Sequence, residues 1–529
     1  MSTAIENEPQ LKRETSDTTG FSGQEKQIQT VRLEPTLDTV DEGYEVYVQT
    51  LDSKLQRTPE AQAAWDATSK RVARKFDHWL LAMMCFMVGV NYIDKAALAW
   101  AVLFGFKADL NLVGKDYNWI SSMFYFGYLA GQIPSVYLTA RAPLAKVIGI
   151  STIIWGVLML GSMGCKTYGQ MLAIRFLLGV FEAPLVPSLV SYTALFYTRK
   201  ENAARTLIWG AMQGAFYLVF SLVAYGLGHI NNTALRQWAW IFLVIGLLSV
   251  VLGAGWVLFM PDTPMKARFL TEEEKVVSIE RTAENMYGTQ GHVFQWKQIL
   301  ECFWDPLYYI TLIYVFFETV PNGISSFNTL VISSFGFNQF NTLLVGLPSS
   351  IVSAGSLITW SFLARKYGGL RTIGLAVPLI PAIAGMASVY ATTYGDYSKW
   401  GRVVAYWLVN SYAVCWPFTQ AHIGVNFAGH TKRSFVYGSS LVFFATGNIV
   451  GPFIFPSGSS NYSKALGIIL AFFCIQFLLA GVIRAYMVWD NRRRDKLYGP
   501  VDTKAITEGA LEGLQDRTDR ENKSFRYVL

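Results

Sequence analysis

The chain has 529 residues, of which 52% are hydrophobic and 15% charged, well below the roughly 25% charged share of a soluble domain. This balance excludes an ordinary soluble globular protein and indicates a chain that lies largely in lipid. The net charge of +7 does not indicate a nucleic-acid partner, because most of the relevant Lys and Arg residues stand in short connections between apolar runs. The five cysteines are far apart and lack the paired spacings of a zinc or redox site, so neither a metal site nor a disulfide is predicted.

The apolar runs predict twelve membrane-spanning helices, since a hydrocarbon core about 30 Å thick needs about 20 apolar residues per helix. The predicted spans of the first half cover roughly residues 78–104, 118–139, 147–164, 169–195, 205–228 and 238–259. Those of the second half cover roughly residues 306–330, 341–363, 372–391, 400–425, 435–455 and 464–489. The polar start lacks the basic residues and apolar core of a cleavable signal peptide, so we expect the first span to act as the insertion signal.

These spans divide the chain into two bundles of six helices with polar segments around them. The expected parts are an N-terminal tail (1–77), a first bundle (78–259), a central loop (260–305), a second bundle (306–489) and a C-terminal tail (490–529). In the loop, Thr271 and Glu274 have the spacing of a capping box, which predicts a short helix. Before the first span, Ala61 to Phe76 mixes apolar and basic residues as an interfacial helix does.

Basic residues in the short loops predict the orientation, because loops rich in Lys and Arg stay in the cytosol. They fall on one side of the predicted topology, at Arg141 with Lys146, Arg199 with Lys200, Arg365 with Lys366 and Arg371, Lys432 with Arg433, and Arg492 to Arg494. Both termini are then cytosolic. The opposite side carries two glycosylation sequons, at Asn231 and Asn461, whose use the sequence leaves open.

Few ionisable side chains fall inside the spans, and each costs on the order of 2.5 to 3.5 kcal/mol to insert, so they usually mark a pathway or a buried pair. Arg175 and Glu182 in the fourth span are seven residues apart, which returns to nearly the same helix face about 10 Å along the axis. We interpret Arg175 as a fork that binds a carboxylate and Glu182 as the group that carries a proton. The alternative is that both are structural and pair with neighbouring helices.

Further candidates lie on other spans. In the first span Asp94 and Lys95 are adjacent, hence about 100° apart, so we expect Lys95 to face the substrate and Asp94 to pair locally. Asp94 is also predicted, with Glu182, to be a proton-coupling residue. A self-compensating pair at the outer interface is the alternative. Glu318 is a further proton-site candidate, and the following Pro321, Asn322 and Gly323 predict a broken helix of the kind that lines transporter cavities.

Two amide side chains complete the candidate site, and one histidine is not included in it. Asn426 follows the tenth span and Asn448 lies in the eleventh, and both are predicted substrate-binding residues. A lone His422 in the tenth span is more often a hydrogen-bonded packing residue than a proton relay, so no mechanism is based on it.

Several motifs carry a resemblance to a known family. They are Asn91-Tyr-Ile-Asp-Lys, Arg175-Phe-Leu-Leu-Gly-Val-Phe-Glu-Ala-Pro, Met260-Pro-Asp-Thr-Pro, Asn426-Phe-Ala-Gly-His-Thr-Lys-Arg and Gly447-Asn-Ile-Val-Gly-Pro. From about residue 76 to 490 the chain resembles fungal transporters of the major facilitator superfamily, in the anion:cation symporter group, and is similar to allantoate permeases.

The resemblance implies an all-α membrane protein with the major facilitator superfamily fold, twelve transmembrane helices in two six-helix bundles and alternating access. It implies proton-coupled uptake of a small organic anion such as allantoate, ureidosuccinate or a dipeptide, at the plasma membrane, with the proton gradient in place of a cofactor. In the wider group an arginine in the fourth helix meets the anion and a glutamate two turns later senses protons, as Arg175 and Glu182 would here.

The sequence is compatible with other functions. Related permeases carry nicotinate, pantothenate, biotin or thiamine-related compounds, and a nutrient sensor that binds its ligand without appreciable flux is a second class. An enzyme is the weakest hypothesis, because no nucleophile–base pair, metal cluster or phosphate-binding glycine loop stands out from the helical pattern.

Overall fold

A computed structural model describes residues 57–230, 235–286, 295–367, 371–392, 398–456, 462–499 and 517–529. Every regular element within these ranges is helical. The sequons at Asn231 and Asn461 lie outside the described residues.

The helices follow the predicted order along the chain. The first half contains α1 Pro59–Phe76, α2 Ala82–Leu103, α3 Phe106–Asp109, α4 Asp116–Arg141, α5 Leu144–Ser162, α6 Tyr168–Glu182, α7 Leu185–Phe196, α8 Arg199–Leu227 and α9 Ala239–Phe259. The connection between the halves contains α10 Glu272–Met286 and α11 Trp296–Phe303. The second half contains α12 Pro306–Thr319, α13 Gly323–Ser334, α14 Gln339–Lys366, α15 Arg371–Gly374, α16 Leu379–Ala391, α17 Lys399–Val409, α18 Cys415–Asn426, α19 His430–Val450 and α20 Ser463–Tyr498.

Within the described ranges, nine helical segments are long and apolar enough to cross a membrane, and the pair formed by α11 with α12–α13, bent by 73°, makes ten. The two other predicted spans are helical as well. Helix α4 has 26 residues, or about 39 Å at 1.5 Å per residue, and α17 and α18 are joined by a 3₁₀ turn across the tenth predicted span. All twelve predicted spans therefore fall on helices.

The predicted break in the seventh span is confirmed. Helix α12 ends at Thr319, a 3₁₀ turn covers Val320–Asn322, and α13 begins at Gly323. Proline has no backbone N–H and its ring clashes with the preceding turn, so Pro321 interrupts the regular ladder. Gly323 is needed for a second reason, because a Cβ there would collide with the backbone of Gly451 at the end of α19.

The predicted cap in the central loop is also confirmed. The backbone N–H of Thr271 donates to Glu274 Oε2 at 3.0 Å, and the N–H of Glu274 donates to Thr271 Oγ1 at 3.3 Å. Glu274 also pairs with Lys75 at 2.6 Å and Arg71 at 3.0 Å on α1. Burial alone would raise the pKa of Glu274, but the bonds from Lys75 and Thr271 and the charges of Lys75 and Arg71 together lower it.

Helix α1, the central connection and the C-terminal segment lie on one side of the molecule, here called the tail side. Arg57 just before α1 pairs with Glu280 of α10 at 2.7 Å, and Trp65 donates to the same carboxylate at 2.5 Å. At the other end of the chain, Thr518 donates to Glu301 of α11 at 2.8 Å. Both described ends of the chain are thus attached to the connection between the halves.

Each half is built from packed helix pairs. In the first half α4 packs on α6, α5 on α9 and α2 on α8, and in the second half α12 packs on α19 and α16 on α17. Gly127 of α4 and Gly179 of α6 allow close approach, because a Cβ on Gly179 would collide with the carbonyl oxygen of Phe124. This contact brings α6 against α4 one turn before Glu182.

The halves are joined at the side away from the tails, here called the opposite side. Near the start of α4, Asn118 donates to the carbonyls of Pro452 and Phe455 at 2.5 and 3.1 Å, and Ser122 donates to Ile449 at 2.8 Å. Ser121 also donates to Ser326 of α13 at 2.6 Å. The structure is therefore closed between the halves on the opposite side.

Candidate substrate and proton site

A buried ion pair joins α2 and α6 in the first half. The Lys95 ammonium lies 2.5 Å from Glu182 Oε1, and Glu182 is 3% exposed. The second oxygen of Glu182 makes no hydrogen bond within the described residues. The carboxylate thus gives one oxygen to the lysine and keeps acceptor capacity on the other.

Lys95 differs from the other charged groups of this region because its side chain is partly exposed. Its side chain is 35% exposed although it lies in the middle of α2, which packs against α8, α9 and α13. Its ammonium also lies 5.5 Å from the centre of the Phe124 ring. Of the four charged side chains of this region, Lys95 is thus the one with substantial accessible surface.

A second ion pair lies deeper in the first half. The Arg175 guanidinium is 3.8 Å from Asp94 Oδ1, and the two side chains are 3% and 0% exposed. Asp94 also accepts a hydrogen bond from Trp155 Nε1 at 3.0 Å, and Arg175 lies 5.8 Å from the Phe242 ring. These partners come from α2, α5 and α9, so Arg175 faces the packed interior of the first half.

The structure therefore brings four of the predicted residues into two pairs. Glu182 meets Lys95, and Arg175 meets Asp94, so the two cations and two carboxylates balance one another. The predicted roles of all four side chains stay predictions. The exposure of the two cations favours Lys95 over Arg175 as the group that a substrate reaches.

Glu318 lies at the break between α12 and α13. It is 3% exposed and accepts a hydrogen bond from Thr419 Oγ1 at 2.9 Å, while its Oε1 makes no hydrogen bond in the described part of the chain. Within those same residues it forms no ion pair, unlike Glu182. Burial without a cation favours a carboxyl group in its neutral form.

The remaining predicted residues have other partners. Asn448 donates to the carbonyl of Phe444 at 2.8 Å, one turn back in α19. Asn426, at the tail-side end of α18, bonds to His422 at 3.0 Å and to the backbone of Val528 in the C-terminal segment. Neither amide meets Lys95 or Glu182, so their contact with substrate stays a prediction.

Two neighbours of the paired residues, one beside Lys95 and one beside Asp94, were not predicted. Asn91 Oδ1 accepts a long hydrogen bond of 3.5 Å from Lys95, and Trp155 fixes Asp94. The signal for Asn91 was in the sequence, since residues four apart share a helix face. For Trp155 the sequence offered no signal, because its contact depends on how α5 packs against α2.

Comparison with known proteins decides the family. The family described as the Major Facilitator Superfamily matches residues 84–452. The chain belongs to this superfamily. It is a multi-pass membrane transporter of a small molecule and not an enzyme.

Relatives and a solved structure agree with this membership. The chain is 30% identical over 493 residues to an uncharacterized transporter of Schizosaccharomyces pombe, covering 90% of this chain and 93% of the relative. It is 28% identical to the allantoate permease of Saccharomyces cerevisiae, covering 94% of each, and 28% identical to the thiamine pathway transporter THI73 of the same yeast, covering 87% and 86%.

The fold matches a crystal structure of a bacterial homolog of the human lysosomal transporter Spinster, with a TM-score of 0.59 at 15% identity, covering 77% of this chain and 97% of that chain. The fold class predicted from the sequence and its resemblance to fungal allantoate permease-like transporters are thereby confirmed.

Proposed function

We propose that this transporter is a symporter that imports a small organic anion together with a proton across the plasma membrane, with its tail side in the cytosol. The observation that carries the proposal is the ion pair of Lys95 with Glu182, in which a buried carboxylate holds a partly exposed cation. Such a pair joins a group that binds anions to a group that binds protons.

Coupling follows from competition for the Lys95 ammonium. While Glu182 is ionised it occupies this ammonium at 2.5 Å, so an incoming carboxylate must displace it. A displaced and still ionised Glu182 would be a buried charge without a partner, which costs far more than the neutral acid. Glu182 therefore takes up a proton when the substrate binds.

The same scheme predicts how many protons move with each substrate anion. The empty site holds Lys95 with ionised Glu182, and the loaded site holds Lys95 with the substrate carboxylate and neutral Glu182. The net charge of the site is zero in both states. One proton should thus move with each monovalent anion, and the transport step should carry no net charge.

The other charged residues support this pair. Arg175 and Asp94 tie α6 to α2, which fixes the distance between the backbones that carry Glu182 and Lys95. We assign Arg175 a positioning role, while its direct contact with the anion stays a prediction. Glu318 is proposed as a second protonatable group, beside the helix break of the second half.

The substrate class rests on a relative. A protein named allantoate permease resembles this chain over 94% of its length, which favours a carboxylate with amide or ureido groups, such as allantoate, ureidosuccinate or a dipeptide. A second candidate is a vitamin carboxylate or thiamine-related compound, because the thiamine pathway transporter has the same 28% identity over 87% of this chain.

The test is uptake by the purified protein in liposomes, with a panel of labelled acids and thiamine-related compounds and an acidic external solution. We expect accumulation of one carboxylate that follows the pH gradient and does not respond to an imposed membrane potential. Accumulation that follows the potential alone, or uptake restricted to cations, would contradict the proposed anion–proton symport.

A further inference from the structure

The C-terminal segment, residues 517–529, packs against the tail side of the second half. Two asparagine side chains bind its backbone at successive residues. Asn491 of α20 donates to Tyr527 O at 2.9 Å and accepts from Tyr527 N at 2.8 Å. Asn426 of α18 donates to Val528 O at 3.3 Å and accepts from Val528 N at 2.8 Å. Each asparagine amide thus binds both the backbone N–H and the backbone carbonyl of one residue of the segment.

A buried charge cluster fixes the other end of the segment. The ammonium of Lys432 lies 2.8 Å from Asp519 in the segment, 2.8 Å from Asp305 and 2.9 Å from Glu301. Lys432, Asp519 and Asp305 are all 0% exposed. Arg494 of α20 donates to the carbonyl of Asp519 at 2.7 Å. Burial this complete requires the segment to be in place.

The place where the segment contacts Asn426 lies at one end of a row of buried polar side chains. Thr419, His422 and Asn426 are spaced three and four residues apart on one face of α18. Thr419 donates to Glu318, His422 lies 3.4 Å from Thr311 of α12, and Asn426 bonds to His422 at 3.0 Å. All five side chains are at most 3% exposed.

We propose that the second half carries a binding site for the chain's own C-terminal segment, and that the docked segment seals the tail-side end of the polar row leading to Glu318. The last member of the row, Asn426, has its amide covered by Val528. Without the segment, this amide would face the tail-side solution. Docking requires neither substrate nor proton, so the inference goes beyond the proposed function and can fail independently of it.

The experiment uses a cysteine in place of His422, in a full-length protein whose five native cysteines are replaced by Ala. A membrane-impermeant maleimide is applied from the tail side, and the labelling rate is measured. We expect slow labelling with the segment docked. Asp519→Ala should accelerate labelling by about tenfold or more, because it removes a charge-assisted bond from a buried lysine and populates the undocked state.

Asp495→Ala is the matched control. Asp495 pairs with Arg526 at 2.7 Å in the same contact, but it is about half exposed, at 48%. Exposed ion pairs contribute little, so its labelling rate should change by less than about twofold. A larger effect of Asp495→Ala than of Asp519→Ala would overturn the assignment of the buried cluster as the anchor.

Truncation after Asp516 provides a second variant that leaves every membrane helix intact, and Thr311→Cys provides a second probe within the row. Truncation should raise the labelling of both cysteines at least as much as Asp519→Ala does. Equal labelling of full-length and truncated protein would overturn the proposal. Fast labelling in both would mean that the segment is not docked, and slow labelling in both would mean that something else seals the row.

Discussion

Replacing Glu182 with Gln separates proton coupling from substrate binding. The substitution keeps the shape of the side chain and removes its ability to exchange a proton. In electroneutral symport of one proton with one anion, each pH unit corresponds to about 1.36 kcal/mol and a tenfold concentration ratio. With an external solution about two pH units more acidic than the interior, the wild type should accumulate substrate about 100-fold, and Glu182→Gln should reach a ratio of about one.

Exchange should survive in the same variant. A neutral amide does not compete for the Lys95 ammonium as the carboxylate does at 2.5 Å, so the substrate anion can still bind Lys95. Exchange of labelled for unlabelled substrate requires only the loaded carrier to reorient, and the loaded site of Glu182→Gln has the charge of the loaded wild type. The variant is therefore expected to equilibrate label across the membrane without concentrating it.

Both quantities are measured on the same liposomes, as accumulation under a pH gradient and as exchange without one. Glu201→Gln is the matched control, because Glu201 is also in an ion pair, with Arg281 at 2.7 Å, but lies on the tail side away from Lys95. It should accumulate substrate like the wild type. Full accumulation in Glu182→Gln would refute the reasoning, and loss of exchange in a folded protein would assign Glu182 to binding instead of coupling.

Other predictions concern affinity, stability, conformation and pH. In initial-rate assays, Lys95→Gln should raise KM roughly 10- to 150-fold, because it removes a charge-assisted bond of about 1.5–3 kcal/mol. Lys95→Arg keeps the charge and should raise KM less. Asp94→Asn should lower the free energy of unfolding by about 3–5 kcal/mol, since it leaves Arg175 buried and unpaired, and adding Arg175→Gln should recover part of this in denaturation experiments. Asn118→Ala should favour opening on the opposite side by about 1–3 kcal/mol, seen as faster labelling of a cysteine placed there. The pKa of Glu274 is lowered, so its contribution to the contact of α1 with α10 should be complete above the ordinary carboxyl pKa of about 4.3. This contribution should be lost as the pH falls through the lowered pKa. Proteolysis of α1 at a series of pH values measures the loss.

Local signals explain what could be predicted from the sequence. The twelve spans follow from apolar runs of sufficient length, since backbone groups in lipid must be satisfied within a helix. The break at Pro321 and the cap of Thr271 with Glu274 follow from the chemistry of a few adjacent residues. None of these features depends on how one helix packs against another.

The partners of the buried charged residues depend on how the helices pack, so the sequence alone could not predict which residues pair. Helix periodicity correctly places Arg175 and Glu182 along one face of the fourth span, yet it does not say which helix each one meets. Lys95 and Asp94 point about 100° apart on α2, so one meets Glu182 and the other meets Arg175. These contacts join α2 to α6, and they are not local in sequence.

The C-terminal segment was missed for a related reason. Its anchor Asp519 lies in a polar tail without periodicity, and its partner Lys432 was interpreted only as an indicator of topology. Lys432 stands in the motif that begins at Asn426, and both residues bind the segment. A motif that supported the family resemblance thus also contains two contacts of an intramolecular docking site.

The distribution of bond types bears on how alternating access can occur in this chain. On the opposite side the halves are joined by neutral bonds, such as those from Asn118 and Ser122 to backbone carbonyls, each contributing about 0.5–1.5 kcal/mol. The buried pairs of Lys95 with Glu182 and of Arg175 with Asp94 lie within one half, and removing one partner of such a pair costs about 3–5 kcal/mol. Opening the contacts of Asn118 and Ser122 thus breaks neutral bonds, whereas rearranging the first half would break a buried ion pair. Because the Lys95–Glu182 pair belongs to one half, the proposed symport lets the substrate carboxylate displace Glu182 from Lys95, and Glu182 take up its proton, without the halves separating. Reorientation can then follow as motion of one half against the other.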